Sequence, residues 1–130
     1  MVSSQEQETI LKTAENYFKA FKEVKPELLK QHFLPEFKKA GFFFDYGKNQ
    51  WMDLDTRDLT EVQAWASQYN LNNTIPSSNP QLVLLTALEK IAVVKLEAEW
   101  APGRWGVDFI TLIKPTDVWF VVGIFWQSVV

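Results

Sequence analysis

Cysteine is absent from these 130 residues and histidine occurs once, as His32. Disulfide staples, thiolate nucleophiles and cysteine-ligated zinc are thereby excluded. Positive charge is also in short supply: 13 Lys and Arg face 16 Asp and Glu, for a net charge of −3 and a pI near 5.1. Such a chain has no electrostatic footprint for nucleic acid. No apolar run reaches the roughly 18 residues of a membrane-spanning helix. The first residues, MVSSQEQETILKTAENYF, have neither the basic start nor the unbroken apolar core of a signal peptide. A cytoplasmic protein with no membrane association is expected. Glycine-rich phosphate loops, GxSxG, HExxH and clustered His or carboxylates at metal spacing are missing too, so no metal or other cofactor is expected.

Aromatic residues, by contrast, are plentiful. They make up 15% of the chain, with six Trp and ten Phe, more ring area than a minimal core of this length requires. Some of it should line a cavity or an interface. The length suits one domain over residues 1–130, able to bury about two-thirds of its unfolded surface.

The organising stretch is Ile91 to Gln127, IAVVKLEAEW-APGR-WGVDFITLIK-PTD-VWFVVGIFWQ. Three runs rich in β-branched and aromatic residues, broken by short Pro, Gly and Asp segments, predict consecutive antiparallel strands. Gln81 to Glu89 predicts a strand before them. Upstream, Ser3 or Ser4 followed by Glu6 or Gln7 has the spacing of a capping box, and Ile10, Leu11, Ala14, Tyr17, Phe18 and Phe21 recur at helical intervals. Pro26 opens a short helix carrying Leu28, Leu29 and Phe33, which Pro35 is expected to end. Gly41 to Asp55 predicts a hairpin around Gly47-Lys48-Asn49, forming one edge of the sheet. Asp58 and Glu61 are placed to cap a third helix with Leu59, Val62, Trp65, Ala66 and Tyr69 on one stripe. Asn70 to Pro80 predicts a loop. The order folds most simply as α+β, a curved antiparallel sheet of about six strands with three helices on its concave face.

NYFKAFKEVKPELLKQHFLPEF near the start, with AVVKLEAEW, WGVDFITLIK and VWFVVGIFW near the end, resembles the nuclear transport factor 2-like (NTF2-like) α+β cone. Within it, the chain resembles the small bacterial proteins labelled "putative lumazine-binding". The resemblance covers essentially the whole chain and implies the cone fold. It does not imply one activity, since the superfamily includes isomerases, cyclases, dehydratases, transport factors and ligand-binding members.

Register arguments locate candidate residues. Pairing Lys114 with Trp119 puts Asp108, Ile110 and Leu112 on one face with Val121, Gly123 and Phe125. Phe109, Phe120, Val122, Ile124 and Trp126 fall on the other. A bulge at Gly103 would place Asp108 with Leu96, Ala98 and Trp100, whereas a plain four-residue loop would set it opposite Glu97; the bulge is the preferred reading. The resemblance implies that Asp108 and Tyr17 match a functional acid and a first-helix tyrosine of isomerase members. Asp45 is only a weak match for their separate base. The candidate ligand-binding set is therefore Tyr17, Trp65, Leu96, Trp100, Asp108, Ile110 and Phe125. Trp51 and Arg104 are further possibilities, and His32 reads as structural or solvated.

A sheet apolar on both faces needs two covers. Helices supply one, and a second copy of the chain is the expected other, through Phe109, Phe120, Val122, Ile124 and Trp126. The functional expectation is a homodimer binding a small aromatic or apolar ligand. The alternatives are a cofactor-independent isomerase or cyclase acting on a carbonyl-containing ring, and a non-catalytic assembly domain.

Overall fold

The structure is a computed structural model, which describes residues 2–76 and 79–130. Helix α1 (Ser4–Lys22) begins where the Ser3 hydroxyl accepts from the Glu6 backbone N–H, and it buries Ile10, Ala14, Tyr17, Phe18 and Phe21. A two-turn α2 (Glu27–His32) leads directly into β1 (Phe33–Phe42). Short strands β2 (Phe44–Asp45) and β3 (Gln50–Trp51) pair only with each other. Then come β4 (Asp55–Asp58), α3 (Leu59–Ala66), β5 (Gln81–Ala87), β6 (Ile91–Ala101), β7 (Arg104–Ile113) and β8 (Phe120–Ser128).

The main sheet has the order β4-β1-β8-β7-β6-β5. Every pairing in it is antiparallel except that of β1 with β8, which is parallel. The fold is α+β, a six-stranded sheet with three helices and the small β2–β3 pair, and the core lies between α1, α3 and the inner sheet face. Asp58 and Glu61 form a reciprocal capping box that starts α3. The first turn of α1 is tied to the far sheet by Glu6, which accepts from Lys114 and from the Trp119 indole N–H. Its last turn is tied to the segment between α3 (Leu59–Ala66) and β5, where Asn70 donates to the Lys22 carbonyl and accepts from the Ile75 N–H, each at 2.7 Å. No helix among the described residues is long and apolar enough to cross a membrane.

Two expectations change and one holds. The second helix stops at His32, and Phe33 already belongs to β1. A residue before proline is disfavoured in the α region, so Leu34 is pushed toward extended backbone ahead of Pro35. Proline also lacks the N–H that a regular ladder needs, and the β1–β8 register is irregular between Phe33 and Lys38. The predicted hairpin is not the sheet edge: it closes as the small β2–β3 pair, and β4 takes the edge beside β1. The stretch Asn70 to Pro80 contains no helix or strand in its described part; Ser77 and Ser78 lie outside the described residues.

Candidate functional site

Strand pairing builds the site in rows. Gly41, Trp126, Asp108 and Leu96 are successive cross-strand partners over β1, β8, β7 and β6, and Lys39, Ile124, Ile110 and Val94 form the next row. Directly opposed residues share a face, so both rows point at the helices. Helix α1 adds Tyr17 and Phe21, and α3 with the turn after it adds Trp65 and Tyr69. Together they enclose a cavity of about 390 Å³, whose mouth is formed by Phe43, Ala101, Arg104 and Trp105. That size lies in the range of small-molecule sites.

Two glycines let tryptophan rings lie flat against the backbone beside the cavity. A Cβ on Gly41 would fall within the Trp126 indole and backbone, and one on Gly106 would crowd the Trp100 indole at 3.2 Å. The Trp126 ring therefore lies against β1, and its buried Nε1 finds no hydrogen-bond partner among the described residues. The Trp100 ring is held edge-on by Tyr17, Phe18 and Phe21, with centroids 5.7, 5.3 and 5.5 Å away. Tyr69 donates its hydroxyl to the Trp100 carbonyl at 2.8 Å, fixing the end of β6.

Two ionisable groups stand on the sheet wall of this apolar chamber, Lys39 on β1 and Asp108 on β7. Lys39 is only 5% exposed, and its Nζ sits over the rings of Trp65 at 4.8 Å, Trp126 at 5.1 Å, Tyr17 at 5.2 Å and Phe21 at 6.0 Å. Asp108 is 3% exposed. Among the described residues neither side chain makes a hydrogen bond or salt bridge within the protein. Burial lowers Lys39 to about 8, opposed by the attraction of Asp108 and Asp55. Burial raises Asp108 to about 6, opposed by Lys39. Tyr17 is pushed well above its ordinary value by burial and then by the Asp108 charge. At neutral pH the chamber thus holds an ammonium and a carboxylate, each able to change charge within about a unit of pH 7.

The sequence-based candidates divide. Tyr17, Trp65, Trp100 and Asp108 line the cavity. Leu96 and Ile110 are fully buried beside Asp108 in the core. The bulge near Gly103 is present as an irregularity between Glu99 and Ala101, and it pairs Leu96 with Asp108. Gly103 itself has φ of +72°.

Phe125 is misplaced by the sequence reading. It is 64% exposed on the outer face opposite Phe109, while Ile124 and Trp126, expected outside, face the helices. The cause is a second bulge: Leu112 pairs with Val121 but Thr111 pairs with Gly123, so Val122 is an extra residue that inverts the facing of everything after it. Phe109, Phe120 and Val122 remain outside the helix-covered core. Tyr17 and Asp108 share the cavity without a hydrogen bond between them. Trp51 packs on Phe44 in the small hairpin, and Asp45 accepts from the Lys48 N–H, both away from the cavity lining. Arg104 lies at the mouth with its guanidinium 3.9 Å from the Tyr46 ring centre. His32 is partly buried, and that burial lowers its pKa.

Lys39 was missed altogether, because reading Pro35 as a helix stop left residues 36–40 unassigned. The signal was the period-two series Phe37, Lys39, Gly41, in which a lysine stands between two inward positions. Among the described residues no group of His, Cys, Asp or Glu is arranged to hold a metal ion.

Residues 5–127 match the family described as "Putative lumazine-binding". No curated protein matches the chain. Among solved structures it is similar to an NTF2-like protein of unknown function from Silicibacter pomeroyi DSS-3, with 18% identity over 99% of this chain and 100% of that one and a TM-score of 0.73. It is also similar to NTF2-like proteins of unknown function from Shewanella baltica OS155 (16% identity, 100% and 98% covered, TM-score 0.71) and Methylobacillus flagellatus KT (20%, 99% and 96%, 0.70). At these identities the likeness establishes the fold alone. With the family match spanning nearly all of its length, the chain belongs to the family described as "Putative lumazine-binding".

Proposed function

We propose that this protein binds a small, flat, ring-containing molecule in the cavity of its cone, with the polar edge of the ligand held between Lys39 and Asp108. The observation that carries the reading is the pairing of two buried, unpartnered charges of opposite sign within a wall of aromatic rings. Aromatic walls favour a planar ligand. An ammonium donates and a carboxylate accepts, so a ring edge carrying C=O beside N–H, as in a cyclic lactam or imide, satisfies both. The family's lumazine-binding description is consistent with such an edge.

An isomerase or cyclase using two carboxylates is less well supported, because Asp108 is the single carboxylate among the described cavity-lining residues. A second copy of the chain on the outer sheet face is part of the proposal. Phe125 and Phe109 are 64% and 41% exposed on that face and pair directly across β8 and β7; Val83, 49% exposed, lies in the same row beyond Lys95. A thermal-shift screen of pterins, flavins, steroids and aromatic acids tests the ligand reading. A ligand that binds only the folded state raises Tm with concentration, and the expected order puts bicyclic lactams first. A screen in which only steroids or long-chain acids raise Tm would overturn it.

A further inference from the structure

We propose that Lys39 is also a covalent anchor: its amine condenses with the carbonyl of a ring-bearing aldehyde or ketone to form an imine inside the cavity, with Asp108 handling the protons. The inference rests on the cavity being a site for flat rings, and extends it from lactams, whose carbonyls are too stabilised to condense, to electrophilic carbonyls.

The geometry supplies what the chemistry requires. Lys39 stands on β1, between β4 and β8 and one row from Asp108, and it is buried and lines the cavity. The rings of Tyr17, Phe21, Trp65 and Trp126 surround its Nζ. The charges acting on it are Asp108 from β7 and Asp55 and Arg57 from β4, which strand pairing places next to Lys39 and Gly41. Arg57 disfavours a second cation, and its guanidinium lies 4.4 Å from the Trp65 ring centre. A desolvated lysine of this kind releases its proton more readily than a surface lysine and becomes a nucleophile near neutral pH.

The condensation balances within these residues. The Lys39 ammonium gives up a proton and the Asp108 carboxylate gains one, relayed by water in the open cavity, leaving a neutral amine and a neutral acid. The amine lone pair forms a C–N bond as the carbonyl π bond opens, and one proton moves from nitrogen to oxygen to give the carbinolamine. Asp108 then protonates the hydroxyl, which leaves as water while nitrogen forms the C=N bond. The result is an iminium beside a carboxylate, the same charges that the site began with. The aromatic cage that holds the ammonium therefore also accommodates the product cation.

The experiment incubates the full chain with 2-naphthaldehyde and sodium cyanoborohydride, followed by intact mass and peptide mapping. One reduced adduct per chain, on Lys39, is expected. Its formation rate should rise with pH and level off above about 8, whereas a surface lysine keeps gaining reactivity to higher pH. Lys39→Arg retains the cation and should abolish the adduct. Asp108→Asn should slow it, by roughly a hundredfold for a lost proton donor. Quenching of tryptophan emission by a bicyclic lactam, which cannot condense, is measured alongside to report the cavity alone. Lactam binding without a Lys39 adduct, or labelling spread evenly over the lysines, would overturn the anchor and leave the ring-binding reading intact. Absence of both would overturn the two together.

Discussion

Replacing Lys39 with methionine should stabilise the protein at neutral pH, although it removes a charged group that touches four rings. In the folded chain the ammonium is desolvated, and its pKa falls from 10.5 to about 8. The protonated form therefore costs about 3 kcal/mol relative to an unfolded chain in which Lys39 is solvated. Cation–π contacts with Trp65, Trp126, Tyr17 and Phe21 offset up to about 2 kcal/mol of this, and methionine keeps favourable sulfur contacts with the same rings. A net gain of about 1–3 kcal/mol at pH 7 follows.

The sign depends on pH, and that dependence is the stronger test. Above pH 10.5 Lys39 is neutral in both states and carries no penalty. As pH falls through about 8 the folded form must be charged, and the stability is lost. Asp108 acts in the opposite direction, since its pKa is raised from 3.8 to about 6: its contribution is full below 3.8 and is lost as pH rises through about 6. Wild-type stability should thus dip between about pH 6 and 8, the window where both groups are charged. Urea denaturation of wild type and Lys39→Met at pH 7 and pH 10 reads the difference, with other titrations largely cancelling between the two chains. The advantage of the variant should shrink by about 2.5 kcal/mol at the higher pH, where the unfolded lysine is still partly protonated. A variant destabilised equally at both pH values would refute the claim that the buried ammonium is costly.

Gly41→Ala should destabilise by about 3 kcal/mol or more and expose tryptophan, because its Cβ has no room beside the indole and carbonyl of Trp126; unchanged denaturation and emission would contradict this. Asn70→Ala removes both hydrogen bonds that clamp the end of α1 to Ile75 and leaves a buried N–H unmet, so a loss of about 2–4 kcal/mol in urea denaturation is expected. Phe125→Glu should convert a dimer to a monomer by light scattering with little change in circular dichroism, since its ring is exposed on the outer face; a wild-type monomer would remove the proposed interface.

How far the sequence could be read depended on which bulges carried a visible marker. Gly103 in its Pro-Gly turn identified the first, and with it the pairing of Asp108 and Leu96. The second, at Val122, sits in an uninterrupted apolar run whose two faces both look buried, so alternation could not expose the slip. Gly123 was its trace, because glycine inside a strand often marks a bulge. That one residue decided whether Trp126 or Phe125 reached the cavity. Lys39 was hidden for a different reason: proline at position 35 is compatible both with a helix end and with an irregular strand, and only the parallel pairing of β1 with β8 turns Lys39 inward. Parallel contacts between segments about 85 residues apart leave only the alternation Phe37, Lys39, Gly41 as a local trace. The helix caps and the aromatic stripe of α1, which are local, were legible.

The most direct test of the account is a titration of the protein with lumazine, followed by tryptophan emission, in wild type and in Ala101→Trp, which fills the cavity mouth without altering Lys39 or Asp108. The account predicts saturable quenching with one site per chain in wild type and its loss in the filled variant. Quenching that persists unchanged in Ala101→Trp would place the ligand elsewhere and contradict the central claim.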